Sequence, residues 1–192
     1  MNRRTFVAWL SAVAGGIAVT LAAIPFLQYL RPSARAKVTG DPMTVDLSGL
    51  TPGEQMTFLW RGMPIWILRR TAEMLEALPG MTPYLIDSVS DDPEFHPPYF
   101  DKGLRSIKPE YLVLQGVCTH LACVPNPLPN KGDPAVGAWW QGGFFCPCHG
   151  SAYDYAGRVV KGPAPRNLRV PRHRFVSENV VVIGEDSHSA ST

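Results

Sequence analysis

The chain has 192 residues, with 18 Lys and Arg against 16 Asp and Glu and a formal net charge of +2. A charge so small and scattered argues against nucleic acid as a partner. The length allows one membrane segment plus one domain of ordinary size, and 19 prolines with 17 glycines, mostly beyond residue 30, mark a loop-rich, mainly β domain.

The first element is apolar. Phe6 to Leu30 is a run of 25 residues without a charge. As a helix it would be ~37 Å long, enough to span a hydrocarbon core of ~30 Å with some tilt. Pro25 falls near its end. The preceding Asn2-Arg3-Arg4-Thr5-Phe6 is similar to a twin-arginine export signal, a route that carries folded proteins. Ala34-Arg35-Ala36 has the A-x-A form of a cleavage site. The apolar core of a cleaved signal runs only ~7–15 residues, so an uncleaved anchor over 1–30 is expected.

Residues 31–42 are small and charged without apolar periodicity, and read as a tether. Strands are expected at Met43–Leu47, Met56–Trp60 and Pro64–Arg69. Thr71 can cap a helix over Ala72–Leu78, stopped by Pro79 and Gly80. Residues 83–109, rich in Asp, Pro and His, read as an extended loop with at most one helical turn. Strands resume at Glu110–Val117, Gly143–Cys146 and Val159–Val160, and close the domain at Leu168–Val170, His173–Val176 and Asn179–Ile183. The tail 185–192 is polar and expected to be disordered. Trp60, Trp66, Trp139 and Trp140 read as packing aromatics, Trp9 as facing lipid or a neighbouring helix, and His96, His173 and His188 as surface or loop residues.

All four cysteines fall in two short clusters, Cys118-Thr119-His120-Leu121-Ala122-Cys123 and Cys146-Pro147-Cys148-His149-Gly150-Ser151, with 25 residues between His120 and Cys146. Each supplies one Cys and one His at ligand spacing. A structural zinc could take a mixed Cys/His shell, but would leave Cys123 and Cys148 without a role. Two disulfides, in any of three connectivities, would leave both histidines idle. Two thiolates and two imidazoles also suit a [2Fe–2S] centre in which two His replace two Cys on one iron.

Cys-Thr-His-Leu-Ala-Cys, Cys-Pro-Cys-His-Gly-Ser-Ala-Tyr-Asp (146–154) and Gly-Pro-Ala-Pro (162–165) resemble the Rieske iron–sulfur subunits of bacterial cytochrome bc1 complexes, the ubiquinol–cytochrome c reductases. The likeness extends to Trp60–Thr71 and to the N-terminal anchor. It implies an antiparallel β head over 43–184 with a cluster-binding subdomain, its loops within 111–166. It implies one [2Fe–2S] cluster, with Cys118 and Cys146 on one iron and His120 and His149 on the other. A disulfide between Cys123 and Cys148 is implied, with Ser151 and Tyr153 donating hydrogen bonds that raise the potential. Leu121 and the loop Gly162, Pro163, Ala164 and Pro165 would shield the cluster, and His149 would contact quinol and take its proton. The implied partners are a b-type and a c-type cytochrome subunit, ubiquinol or a similar quinol, and a dimeric complex. The Rieske subunit of another exported oxidoreductase, such as an arsenite oxidase, and a zinc-stabilised exported binding module are the rival functions. Charge around the span is ambiguous, since Arg31, Arg35 and Lys37 follow it. The twin arginines and the implied disulfide place the head in the periplasm and the anchor in the inner membrane. One departure stands inside the first cluster: the family usually has Gly where this chain has Ala122. If that position needs φ > 0, alanine adds strain of about 1 kcal/mol; if it only permits close approach, alanine fits.

Overall fold

The computed structural model describes residues 2–31 and 41–186. It divides into two compact units, 1–40 and 41–192. In the first, helix α1 runs Arg3–Tyr29. It begins before the charge-free run because Asn2 caps it, its side chain accepting the Arg4 N–H at 3.3 Å. Pro25 lies inside the helix, and none of its residues is buried, Trp9 included. By length and composition α1 is sufficient to cross a membrane. Most of the tether, residues 32–40, lies outside the described residues, as does the tail from 187.

Among the described residues, the second unit holds ten strands in three antiparallel sheets. They are β1 (Met43–Asp46), β2 (Gln55–Trp60), β3 (Met63–Arg69), β4 (Tyr111–Gln115) and β5 (Asn126–Leu128), then β6 (Gly143–Phe145), β7 (Ala152–Asp154), β8 (Val159–Lys161), β9 (His173–Phe175) and β10 (Val180–Ile183). One sheet has the order β1-β10-β9, a second β2-β3-β4 and a third β5-β6-β7-β8. The second sheet is the middle layer. From β3 and β4, Ile65, Ile67, Tyr111 and Val113 pack with Val45, Val181 and Ile183 of the first sheet. Their alternating neighbours Trp66, Leu68, Leu112 and Leu114 pack with Phe144, Tyr153 and Val159 of the third. Strands alternate their side chains between faces, so a strand covered on both faces is apolar at every position. That accounts for the unbroken Ile65-Trp66-Ile67-Leu68 run.

Several expectations are corrected. Helix α2 runs Ala72–Met81, capped by the Thr71 side chain, and Pro79 does not stop it. The proline sits in the last turn, where one lost N–H bond is tolerated because Leu78 and Met81 are buried. Residues 168–170 form no strand; their N–H and C=O groups bond singly to Gly157, Gln115 and Phe95. Strands β5 and β7, each only three residues long, add to the expected strands. His96 lies in a loop as expected but is buried, 3% exposed, with its edge on Phe100, whereas His173 is neither surface nor loop: it opens β9, is 0% exposed and stacks on the same ring at 4.8 Å. Glu185 and Asp186, expected within a disordered tail, are held in place, Glu185 pairing with Arg174 at 3.0 Å and buried Asp186 with Arg172 at 3.5 Å.

Candidate metal centre

The two cysteine–histidine clusters are the turns leaving β4 and β6, and they share one backbone pattern. In the first, the Cys118 N–H donates to Cys123 O at 2.7 Å and the Ala122 N–H to Cys118 O at 3.0 Å. In the second, the Cys146 N–H donates to Ser151 O at 2.7 Å and the Gly150 N–H to Cys146 O at 3.0 Å. The residue closing each turn is left-handed, Ala122 at φ 65° and Gly150 at φ 76°. The alanine therefore occupies a conformation suited to glycine.

The turns bring the sequence candidates together. Cys118 and Cys146 are free, buried thiols. The rings of His120 and His149 lie 4.7 Å apart and nearly perpendicular, at 89°. His149 is exposed, whereas His120 is half-buried. Cys123 and Cys148 form a disulfide with Cα atoms 6.7 Å apart, linking the two turns. Both its sulfurs and Cys146 Sγ lie within 4.8 Å of one another, so the bridge packs against a ligand candidate. With its sulfurs bonded to each other it cannot itself bind metal as thiolates. A reading with two disulfides falls, because Cys118 and Cys146 stay unpaired.

The donor set fits a metal cluster. His120 Nδ1 is buried and has no hydrogen-bond partner. A buried polar atom left so is costly unless something else satisfies it, and a metal bond does so. Two thiols and two imidazoles, rather than carboxylates, select a soft or borderline metal.

Hydrogen bonds converge on one of the thiols. The Tyr153 hydroxyl donates to Cys118 Sγ at 3.2 Å and accepts the Thr119 N–H at 3.2 Å. Ser151 Oγ accepts the Ala164 N–H at 3.2 Å, which leaves its own proton to donate. Burial pushes the Cys118 thiol up, but the Tyr153 hydroxyl and the His120 backbone outweigh it and hold the thiol below its ordinary value. Burial raises the Cys146 thiol, and it raises the Tyr153 hydroxyl together with its bond to Cys118.

The loop Gly162–Pro165 lies against the second turn. Gly162 has φ +90°, and a Cβ there would meet Ser151 N at 2.7 Å and Gly150 O at 2.8 Å. Its glycine lets the loop backbone touch the turn that carries His149. Ala164 is buried, whereas Leu121 is 65% exposed and Pro163 and Pro165 are exposed. The tip around His149 is therefore largely apolar. Thr119 was not anticipated: its hydroxyl donates to Arg166 O at 2.6 Å and ties the first turn to the end of that loop. A hydroxyl between two ligands was the only available signal.

Residues 101–172 match the Rieske [2Fe-2S] domain, which defines the class as an iron–sulfur protein. The chain is 46% identical over 191 residues to the "Ubiquinol-cytochrome c reductase iron-sulfur subunit" of Allochromatium vinosum, covering 99% of this chain and 91% of that protein. It is 39% identical to the subunit of the same name in Blastochloris viridis, covering 95% and 93%. It is also 46% identical to "Cytochrome b-c1 complex subunit Rieske-1, mitochondrial" of Arabidopsis thaliana, covering 74% of this chain and 45% of that one. The chain belongs to the bacterial Rieske iron–sulfur subunits of ubiquinol–cytochrome c reductase. Its cofactor is a [2Fe–2S] cluster, which removes the zinc module, and these relatives remove the arsenite oxidase alternative. Its role is electron transfer within an oxidoreductase complex, not catalysis alone.

Proposed function

We propose that this subunit accepts one electron from ubiquinol or a similar quinol, with a proton on His149, and passes the electron to a c-type cytochrome. Cys118 and Cys146 would hold one iron and His120 and His149 the other. Bound there, the cluster would supply a one-electron acceptor whose potential is raised, relative to a four-thiolate centre, by its neutral imidazole ligands. The single observation carrying the reading is the unequal exposure of two adjacent imidazoles, His149 outward on an apolar tip and His120 with a buried nitrogen.

His149 is the group a quinol hydroxyl can reach. A ligand imidazole keeps a second nitrogen whose basicity follows the metal's charge, so it takes the hydroxyl proton as the electron leaves the quinol. Leu121, Pro163 and Pro165 offer apolar contact around it, and Gly162 and Ala164 hold the shielding loop in place. Tyr153 and Ser151 stabilise added negative charge on the sulfurs. The disulfide Cys123–Cys148 braces the two turns.

In this reading the partners are a b-type and a c-type cytochrome subunit of a dimeric complex. Helix α1 is an uncleaved single-pass anchor in the bacterial inner membrane, exported through the twin-arginine route with the head periplasmic. Residues 31–42 act as the tether that lets the head move between partners, and the complex contributes to the proton-motive force.

Redox titration of the complex against pH tests the proton step. The midpoint potential is expected to fall with rising pH through the alkaline range, and a flat profile would overturn proton transfer to His149.

A further inference from the structure

Two buried arginines have no carboxylate in direct contact among the described residues. Arg70, just past β3, is 3% exposed, and Arg105 is 0% exposed. Arg70 donates from Nε to Pro109 O at 2.8 Å, from Nη1 to Leu104 O at 2.9 Å and Tyr155 O at 3.1 Å, and from Nη2 to Ser106 Oγ at 2.6 Å. Arg105 donates from Nη1 to Ala156 O and Gly157 O, both at 3.3 Å, and from Nη2 to Phe95 O at 3.1 Å. Three consecutive carbonyls, 155 to 157, thus accept from two buried guanidiniums.

That turn directly follows β7, the strand carrying Tyr153. Asp154 closes it from the strand side, accepting the Ala156 and Arg158 N–H groups at 2.9 Å each and the Arg158 guanidinium at 2.7 Å. The turn is therefore held at both ends and along its carbonyls. Stability alone does not account for this. Burying a guanidinium against carbonyls costs desolvation that apolar side chains avoid. Asp154, Glu110 and Asp87 act on the two charges only across space, and Arg105 Nε stays without a partner. What a rigid, planar fork does supply is fixed geometry.

We propose that Arg70 and Arg105 are positioning residues for Tyr153. By fixing the 155–157 turn they hold the Tyr153 hydroxyl on Cys118 Sγ, and so set the potential of the centre. The inference rests on the reading of Tyr153 as a donor that raises that potential.

A double-mutant cycle in the loaded complex tests it, read as midpoint potential by electron paramagnetic resonance with iron content as the loading control. Arg70→Lys and Arg105→Lys keep the charge but lose the fork. Each is expected to lower the midpoint in the same direction as Tyr153→Phe, and to produce no further shift in a Tyr153→Phe background. A wild-type midpoint in both lysine variants, while Tyr153→Phe shifts it, would overturn the positioning role alone. An equal shift with and without Tyr153 would overturn it too, because the arginines would then act independently of the hydroxyl. An unshifted Tyr153→Phe protein would remove the underlying reading and this inference with it. Should the lysine variants fail to load, Ser106→Ala removes one acceptor of the Arg70 fork and goes through the same cycle with the same criteria.

Discussion

Ala122 and Gly150 hold the same place in two turns with the same hydrogen bonds, each N–H donating at 3.0 Å to the carbonyl of the cysteine four residues earlier. Both are left-handed. A Cβ on Gly150 would meet nothing within 4 Å, and Ala122 is exposed. Space is therefore not at issue at either position; only the backbone conformation is. A left-handed alanine costs about 1 kcal/mol over glycine, partly offset by the entropy glycine loses on folding. Ala122→Gly is expected to raise the unfolding free energy by up to about 1 kcal/mol and Gly150→Ala to lower it by a similar amount. Denaturant midpoints of the two variants check both signs.

Tyr153 and Ser151 carry a second expectation. A hydrogen bond to a charged acceptor that favours the reduced state by ~1 kcal/mol corresponds to roughly 40 mV for a one-electron couple. Tyr153→Phe and Ser151→Ala should each lower the midpoint potential by about that much while leaving iron content unchanged. Voltammetry at fixed pH reads the shift, and an unaltered potential in both variants removes the tuning role.

The bridge between Cys123 and Cys148 spans 25 positions. In the chain-entropy model a closed loop of that length contributes about 3 kcal/mol. Replacing both cysteines with serine should lower the denaturant midpoint accordingly, and should let a chelator strip iron faster than from the wild type. Iron loss at the wild-type rate would show that the brace does not guard the site.

Acid should weaken the head through His173. Burial holds this imidazole down to about 4 from an ordinary 6.5, so the folded state resists a proton that the unfolded state accepts. Stability is therefore unaffected above about pH 6.5 and falls as pH drops toward 4, by about 3 kcal/mol in all. His96 is lowered too, by burial first and then by Arg105 and Lys102. His173→Phe should flatten the slope of unfolding free energy between pH 6.5 and 4. A slope identical to wild type would assign the acid loss elsewhere.

How far these features could be read beforehand depended on chemistry that acts locally. The metal-ligand candidates were legible because spacing and residue type coincide in segments of six residues. The anchor was legible because 25 uncharged residues leave few alternatives. Strand β5 was hidden by Pro127, which an edge strand tolerates, and β7 by being only three residues long. His173 and Arg105 look like surface residues in sequence; what buries them is packing from distant segments, Phe100 on one and the 156–157 turn on the other. Ala122 was visible as an oddity, but its φ belongs to the folded loop.

The middle sheet, covered on both faces, has a mechanical consequence. Close-packed interiors transmit displacement rather than absorb it, and here the same strands β3 and β4 supply both cores. No soft seam separates the first sheet from the two sheets whose strands β4 and β6 lead into the cysteine–histidine turns. A push on the exposed tip is passed through the middle sheet to the first sheet instead of being taken up between layers. The near-perpendicular angle between the two imidazoles is thus held by three sheets and not by their turns alone.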